Sequence, residues 1–385
     1  MRVRPIVNIF TVALFVGVVV ASLSGQGRNA ESQTDEPRGG DRSKDGRQLF
    51  ERETFGGNGR TCVTCHSRAT GTLSPHDAQI RFQANSQDPL FLHDGSDDGQ
   101  GHGVTRILAD ATVLINIPLA PNVRLAHSSD RFVTVRRGIP TTLNTPALDP
   151  VLMLDGRQPS LELQAEGAMH DHAQAPAFPT LQDLQAIRQF QLTDAFFSSP
   201  ALRDHARGGP SPELPRGNTD SERRGRRFFE SVPPNPADGL KPGLCAHCHS
   251  GPLMNQTNEF APLFIGVPIP TGTRFFDIAV SFFNQANNPL SEFVFNPGTP
   301  DEVHLTSPDP GRALITGNVN DFNAFKTPQL RGIKRTGPYF HDNSAKTLAD
   351  VAAHYTRFFS FVTAGFINLT PQDEADIVAF MKLLD

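Results

Sequence analysis

The stretch Arg60-Thr61-Cys62-Val63-Thr64-Cys65-His66-Ser67 returns later in the chain as Leu244-Cys245-Ala246-His247-Cys248-His249-Ser250, and together the two hold all four cysteines. Each contains Cys-x-x-Cys-His, the attachment motif of c-type haem. The spacing brings two thiols to one edge of a macrocycle, where they form thioether bonds to its vinyl groups. The histidine directly behind then ligates the iron through a neutral imidazole nitrogen. Three other readings fit less well. Disulfides would leave the following histidine unexplained in both copies. A zinc site would have to gather thiols from distant motifs, against the short spacing usual for zinc. A thioredoxin-like pair needs a single motif in a βαβ setting that the sequence does not show. Cys62, Cys65 and His66, and likewise Cys245, Cys248 and His249, are therefore read as the cofactor-binding residues of two covalently attached c-type haems, with His66 and His249 on the iron.

Working outward, each motif sits in a similar surrounding order. Gly46-Arg-Gln-Leu-Phe50-Glu51 precedes the first and Gly225-Arg-Arg-Phe-Phe229-Glu230 the second. Pro140-Thr-Thr-Leu143 followed by Leu154-Asp155-Gly-Arg157 has its counterpart in Pro328-Gln-Leu330 followed by His341-Asp342. Thr180-Leu-Gln-Asp183, with Ile187 and Phe190, matches Thr370-Pro-Gln-Asp373, with Ile377 and Phe380. Four matches in the same order indicate a duplicated unit. The last segment of each copy reads as a helix, with a threonine N-cap, a capping aspartate three residues on, and apolar residues at helical spacing. Thr112–Ile117 and Arg131–Val135 are β-branched and aromatic, and are expected to pair as a hairpin. The Phe-rich segment around Phe275–Phe295 reads as a second, less defined insertion. The expected fold is mainly α, two tandem cytochrome c-like domains with small β-hairpin insertions. Haem domain 1 spans 46–206 with its β insertion at about 84–138, a Pro/Gly-rich linker 207–224, and haem domain 2 225–385.

The chain has 385 residues, 38% hydrophobic and 19% charged, with a formal net charge of −5. That length carries two ordinary cores, and that charge carries no basic surface for nucleic acid, so nucleic-acid partners are excluded. At the start, Arg2 and Arg4 precede an apolar run from Ile6 to Val20 and small residues at Ser22 to Ser24. Residues 1–24 read as a signal peptide, or as an uncleaved anchor that would be the only membrane contact. Residues 25–45 are polar and charged and read as a disordered leader. Either reading of the N-terminus places the body of the protein outside the cytoplasm, with the periplasm expected.

A duplicated haem unit with Phe325-Lys-Thr-Pro-Gln-Leu-Arg331, Gly337-Pro-Tyr-Phe-His-Asp342 and Thr347-Leu348 resembles the bacterial di-haem cytochrome c peroxidases, a family that includes MauG. Leu154-Asp155-Gly156-Arg157 with Leu161-Glu-Leu-Gln164 resembles that family's block beside the peroxide-binding haem. The resemblance covers essentially all of 46–385. It implies that the His66 haem cleaves hydrogen peroxide, and that the His249 haem takes electrons from a small soluble cytochrome or copper protein. It also implies a distal glutamine, here Gln164, and a distal acid/base glutamate ten residues on.

Several positions depart from the family pattern. The acid/base position holds Gln174, which cannot titrate, with Asp171 and Glu166 as the nearest carboxylates. His170-Asp171-His172 reads as a solvated polar loop. Leu154 stands where the family places an inter-haem tryptophan, and the chain has no Trp. Phe322 and Asn323 occupy the region that supplies a Met or Tyr ligand to the second haem, so its sixth ligand stays open; Tyr339 reads as packing. His127 is the candidate sixth ligand of the first haem. Calcium between the halves is familiar in the peroxidases, but no ligand set here is strong enough to name. Peroxide reduction is the leading expectation. The alternatives are a di-haem electron-transfer cytochrome without a substrate, and a MauG-like oxidase of a protein or organic substrate.

Overall fold

A computed structural model describes residues 45–384 apart from 267, 286 and 287. The expected signal or anchor segment, and the leader up to residue 44, lie outside the described residues. Among the described residues, no helix is long and apolar enough to cross a membrane.

Helices predominate. In chain order they are α1 (Gly46–Arg52), α2 (Cys62–Cys65), α3 (Pro75–Ala84), α4 (Thr105–Asp110), α5 (Leu161–Asp171), α6 (Leu181–Thr193), α7 (Pro200–Ala206), α8 (Asp220–Arg226), α9 (Ala261–Ile265), α10 (Val280–Phe283), α11 (Ala313–Thr316), α12 (Leu348–Val362) and α13 (Pro371–Met381). The strands are β1 (Thr112–Pro118), β2 (Val123–Leu125), β3 (Phe132–Gly138), β4 (Phe275–Phe276), β5 (Ser291–Phe295), β6 (Val303–Ser307) and β7 (Phe325–Lys326). The stretch read as a linker ends in structure, because Thr219 and Glu222 form a capping box that starts α8 at Asp220.

The repeat seen in the sequence recurs as a packing motif. Helix α1 packs on α6, and α8 on α13. A Cβ on Gly46 would lie 2.0 Å from the Ala186 carbonyl oxygen, and one on Gly225 would lie 1.9 Å from that of Asp376. Only glycine lets the two backbones approach so closely. Around the first crossing Leu49, Phe50, Ile187, Phe190 and Phe197 form one apolar cluster. Around the second, Phe228, Phe229, Ile377, Phe380 and Leu384 form another. Capping boxes start both partner helices, at Thr180 with Asp183 and at Thr370 with Asp373.

The expected hairpin is present: β1 and β3 pair antiparallel with Ile115 opposite Val135. Between them, however, β2 leaves the hairpin and pairs with β5, which pairs in turn with β6. The two insertions thus form a shared three-stranded sheet and a shared core containing Ile117, Val123, Val135, Phe293 and Phe295. The described residues accordingly group within one compact unit, with the two repeats joined through this sheet. Pairing between segments so far apart leaves no local trace in sequence.

Candidate haem-binding active site

Both cysteine motifs wind through a single turn. In each, the histidine N–H donates to the carbonyl of the first cysteine at 2.9 Å. That puts the two thiols and the imidazole on one side of the turn. The ring nitrogens repeat the same bond. His66 Nδ1 lies 2.8 Å from the Gly71 carbonyl oxygen, and His249 Nδ1 lies 3.0 Å from that of Met254. A carbonyl only accepts, so Nδ1 carries the proton and Nε2 keeps its lone pair, the form a metal requires. Burial favours the neutral imidazole in both, lowering His66 and bringing His249 to about 4.

None of the four cysteines forms a disulfide. Burial pushes Cys62, Cys245 and Cys248 up to about 12 and Cys65 up to about 11, so all four are neutral thiols at pH 7. Both motifs open onto one continuous cavity of about 680 Å³ whose walls are mostly apolar. Paired thiols, a tautomer-locked imidazole and an apolar cleft at each motif fit a covalently held haem.

The family-implied residues divide around this cavity. Gln164, on α5, lines it, and so does Leu154. Asp171, Gln174 and His127 are not among its lining residues. Asp171 ends α5 on the solvent side, paired at 2.8 Å with exposed His170. Gln174 stands at a positive φ of 52°, where the chain turns away, and accepts from Asn58 Nδ2 at 3.2 Å. His127 is 84% exposed, with Nε2 3.1 Å from Glu292. It sits beside the β2–β5 sheet, which carries it away from the first motif.

His172 breaks the expected solvated loop. It lines the cavity and places Nδ1 2.5 Å from Oδ2 of Asp94, which is buried. Asp94 pairs through its other oxygen with Arg60, whose guanidinium also donates to the carbonyls of Pro89, Leu90 and His172. Burial opposes charge on Asp94, but the His172 hydrogen bond and the Arg60 guanidinium outweigh it and hold the carboxyl below its ordinary value. Arg60 adjoins the first motif, whereas Asp94 belongs to a different loop. No spacing rule in sequence connects the three.

Near the second motif, Tyr355 projects from α12 into the cavity, with Oη 3.4 Å from His249 Nε2. Tyr339 donates to the Ile333 carbonyl at 3.0 Å, packs against the second cluster and also lines the cavity. Met254 contributes its carbonyl, and Met381 is buried on α13. Where an inter-haem tryptophan would stand, the Leu154 carbonyl accepts from the Lys326 N–H at 2.7 Å, and the neighbouring Phe325 ring stacks on His341 with centroids 3.7 Å apart.

No family model matches the chain. Among curated proteins, it is 24% identical over 364 residues to the cytochrome-c peroxidase IdrP2 of Pseudomonas sp. (strain SCT), covering 87% of this chain and 78% of that one. It is 29% identical over 145 residues to the cytochrome-c peroxidase IdrP1 of Denitromonas iodatirespirans; that match spans only 36% of either chain. A match to the methylamine utilization protein MauG of Methylophilus methylotrophus is 35% identical over 91 residues, covering 22% of this chain and 27% of that one. The relatives are thus cytochrome c peroxidases and MauG, the proteins that the sequence motifs resemble.

Proposed function

We propose that this chain is an exported di-haem c-type oxidoreductase of the cytochrome c peroxidase and MauG group. It reduces hydrogen peroxide to water with electrons from a small soluble cytochrome or copper protein. The observation that carries the reading is the single cavity onto which both Cys-x-x-Cys-His motifs open, each with its histidine held in the metal-binding tautomer. Bound there, haem supplies the one- and two-electron chemistry that no side chain can.

The chain's own groups supply the rest. His66 and His249 would ligate the two irons, and the paired thiols of each motif would hold each haem covalently. Gln164, on the cavity wall, offers an amide that donates to a peroxide oxygen. Leu152, Leu154 and Leu161 keep the surrounding wall apolar, which strengthens every polar contact made within it. Electrons enter on the side of the second motif and cross within one compact unit.

The test is peroxide consumption by the purified, haem-loaded protein, with a reduced small cytochrome or copper protein as donor. Turnover that oxidises two donor molecules per peroxide supports the reading. No consumption with either donor sinks it.

A second reading is favoured by Tyr355 Oη, which lies near the iron-facing nitrogen of His249. A tyrosinate on the second iron would suit a MauG-like oxidase of a protein or organic substrate better than a peroxidase fed by a cytochrome. Oxidation of an added protein or organic reductant, with no turnover from the cytochrome or copper protein, would select it.

A further inference from the structure

The family's distal carboxylate is absent from this chain at its matching position, and the residue there, Gln174, is neither titratable nor on the cavity wall. Peroxide cleavage still needs one proton moved between two oxygens. We propose that His172 is the acid/base of the first haem site, positioned by Asp94 and Arg60. The proposal rests on the peroxide-reducing reading above and deepens it.

The geometry is specific. Asp94 is acceptor-only when ionised, so the 2.5 Å contact places a proton on His172 Nδ1 and leaves Nε2 as a base. Among the described residues, Nε2 has no hydrogen-bond partner. The His172 main chain is held at both ends of this arrangement, its N–H donating to Ala168 and its carbonyl accepting from Arg60 Nη1 and Asn58 Nδ2. The imidazole therefore stays at the cavity wall. The titratable and charged groups around it are Asp94 and Arg60, with His93 4.0 Å from Asp94 and His66 close enough to feel its charge. On its own helix, His170 and Asp171 pair with each other.

The step balances as follows. His172 Nε2 takes the proton of the inner peroxide oxygen, on the His66 side, and returns it to the outer oxygen. The O–O bond breaks with both bonding electrons leaving on the outer oxygen, which departs as water. Two electrons from the reduced donor protein and two protons from solvent convert the remaining oxygen to a second water. Asp94 acts through His172 by fixing its tautomer and stabilising the imidazolium, the role a buried aspartate plays behind any catalytic histidine.

The test compares haem-loaded His172→Ala, His172→Glu, Asp94→Asn and Asp171→Asn with the parent, in two measurements. The first is the rate at which peroxide changes the absorbance of the oxidised protein. The second is the on-rate of cyanide between pH 5 and 8, which enters as HCN and must also give up a proton. The expected result is a loss of about 10²–10⁴-fold in both rates for His172→Ala. Partial recovery is expected for His172→Glu, an intermediate loss for Asp94→Asn, and parental rates for Asp171→Asn. Rates within twofold of the parent in His172→Ala would overturn the proposal. So would faster cyanide binding in that variant, which would mark His172 as an iron ligand that blocks the site. If the parent ignores peroxide while His172→Ala still slows cyanide, the base stands and the peroxidase reading falls. Two haems per chain in each variant show that it has folded and loaded.

Discussion

At the scale of single residues, the cofactor sites are set by what surrounds each ring nitrogen and each sulfur. The Nδ1-to-carbonyl bonds of His66 and His249 are local, made to carbonyls five residues further along the chain. Each motif therefore prepares its own ligand without help from the other half. Replacing Cys62 and Cys65 together by serine is expected to remove one haem and leave the second, read as the loss of one haem mass from the intact protein and one haem equivalent in its absorbance. Loss of both would show that the two sites load cooperatively. The residues proposed to handle peroxide behave differently. Gln164 came from the resemblance, which sets it beyond the Leu154-Asp155-Gly156-Arg157 block, and it lies on the cavity wall. His172 was hidden in a polar run, and its partner Asp94 is distant in sequence. Side chains that meet only through folding leave no periodicity or spacing to read.

At the scale of elements, the repeated crossing of α1 on α6 and α8 on α13 braces each motif. Both crossings depend on a glycine whose missing Cβ admits a carbonyl at under-contact distance. Gly225→Ala is expected to cost about 3 kcal/mol or more, since the obstacle is backbone and cannot rotate aside. Its thermal midpoint should fall well below the parent's, while an exposed control such as Ser129→Ala moves it little. An unchanged midpoint would mean that the helices slide apart at no cost. The end of α5 has the opposite kind of consequence. The helix stops at Asp171, His172 caps it, and the positive φ at Gln174 turns the chain outward. That short reversal brings the imidazole to the cavity and takes the glutamine away from it. Capping boxes announced where helices begin; nothing comparable announced how this one ends.

At the scale of the whole molecule, the two repeats are joined by buried charge as well as by the β2–β5 pairing. Arg137, fully buried, donates to Asp309 at 2.7 and 2.9 Å and to Asp155 at 2.6 Å, and Asp155 also pairs with Arg157. Burial opposes the charge on Asp155, but Arg137 and Arg157 outweigh it and hold the carboxyl below its ordinary value of 3.8. A carboxyl depressed on folding contributes stability in full above its unfolded value and loses it as pH falls through the folded one. Arg137→Leu removes the guanidinium from buried Asp309 and leaves Asp155 with Arg157 alone, and is expected to cost about 3–5 kcal/mol at neutral pH. Denaturant titrations should show the gap to the parent narrowing as pH falls toward and through the ordinary carboxyl value of about 4. Carboxyls left buried without Arg137 protonate above it in the variant, and the paired ones protonate below it in the parent. A gap that stays constant with pH would remove the charge network from the account.

What the sequence determined by itself is everything written in short-range chemistry. Two Cys-x-x-Cys-His turns, the order of blocks around them, the capped helices of each repeat and the strands of the β1–β3 hairpin all depend on neighbours close in the chain. Tertiary structure alone decided the rest. It merged the two insertions into one sheet, opened both motifs onto a common cavity, and set Asp94 and Arg60 behind His172. Those contacts join segments far apart in sequence, where loop closure and the packing of whole elements, not local residue preference, select the partner.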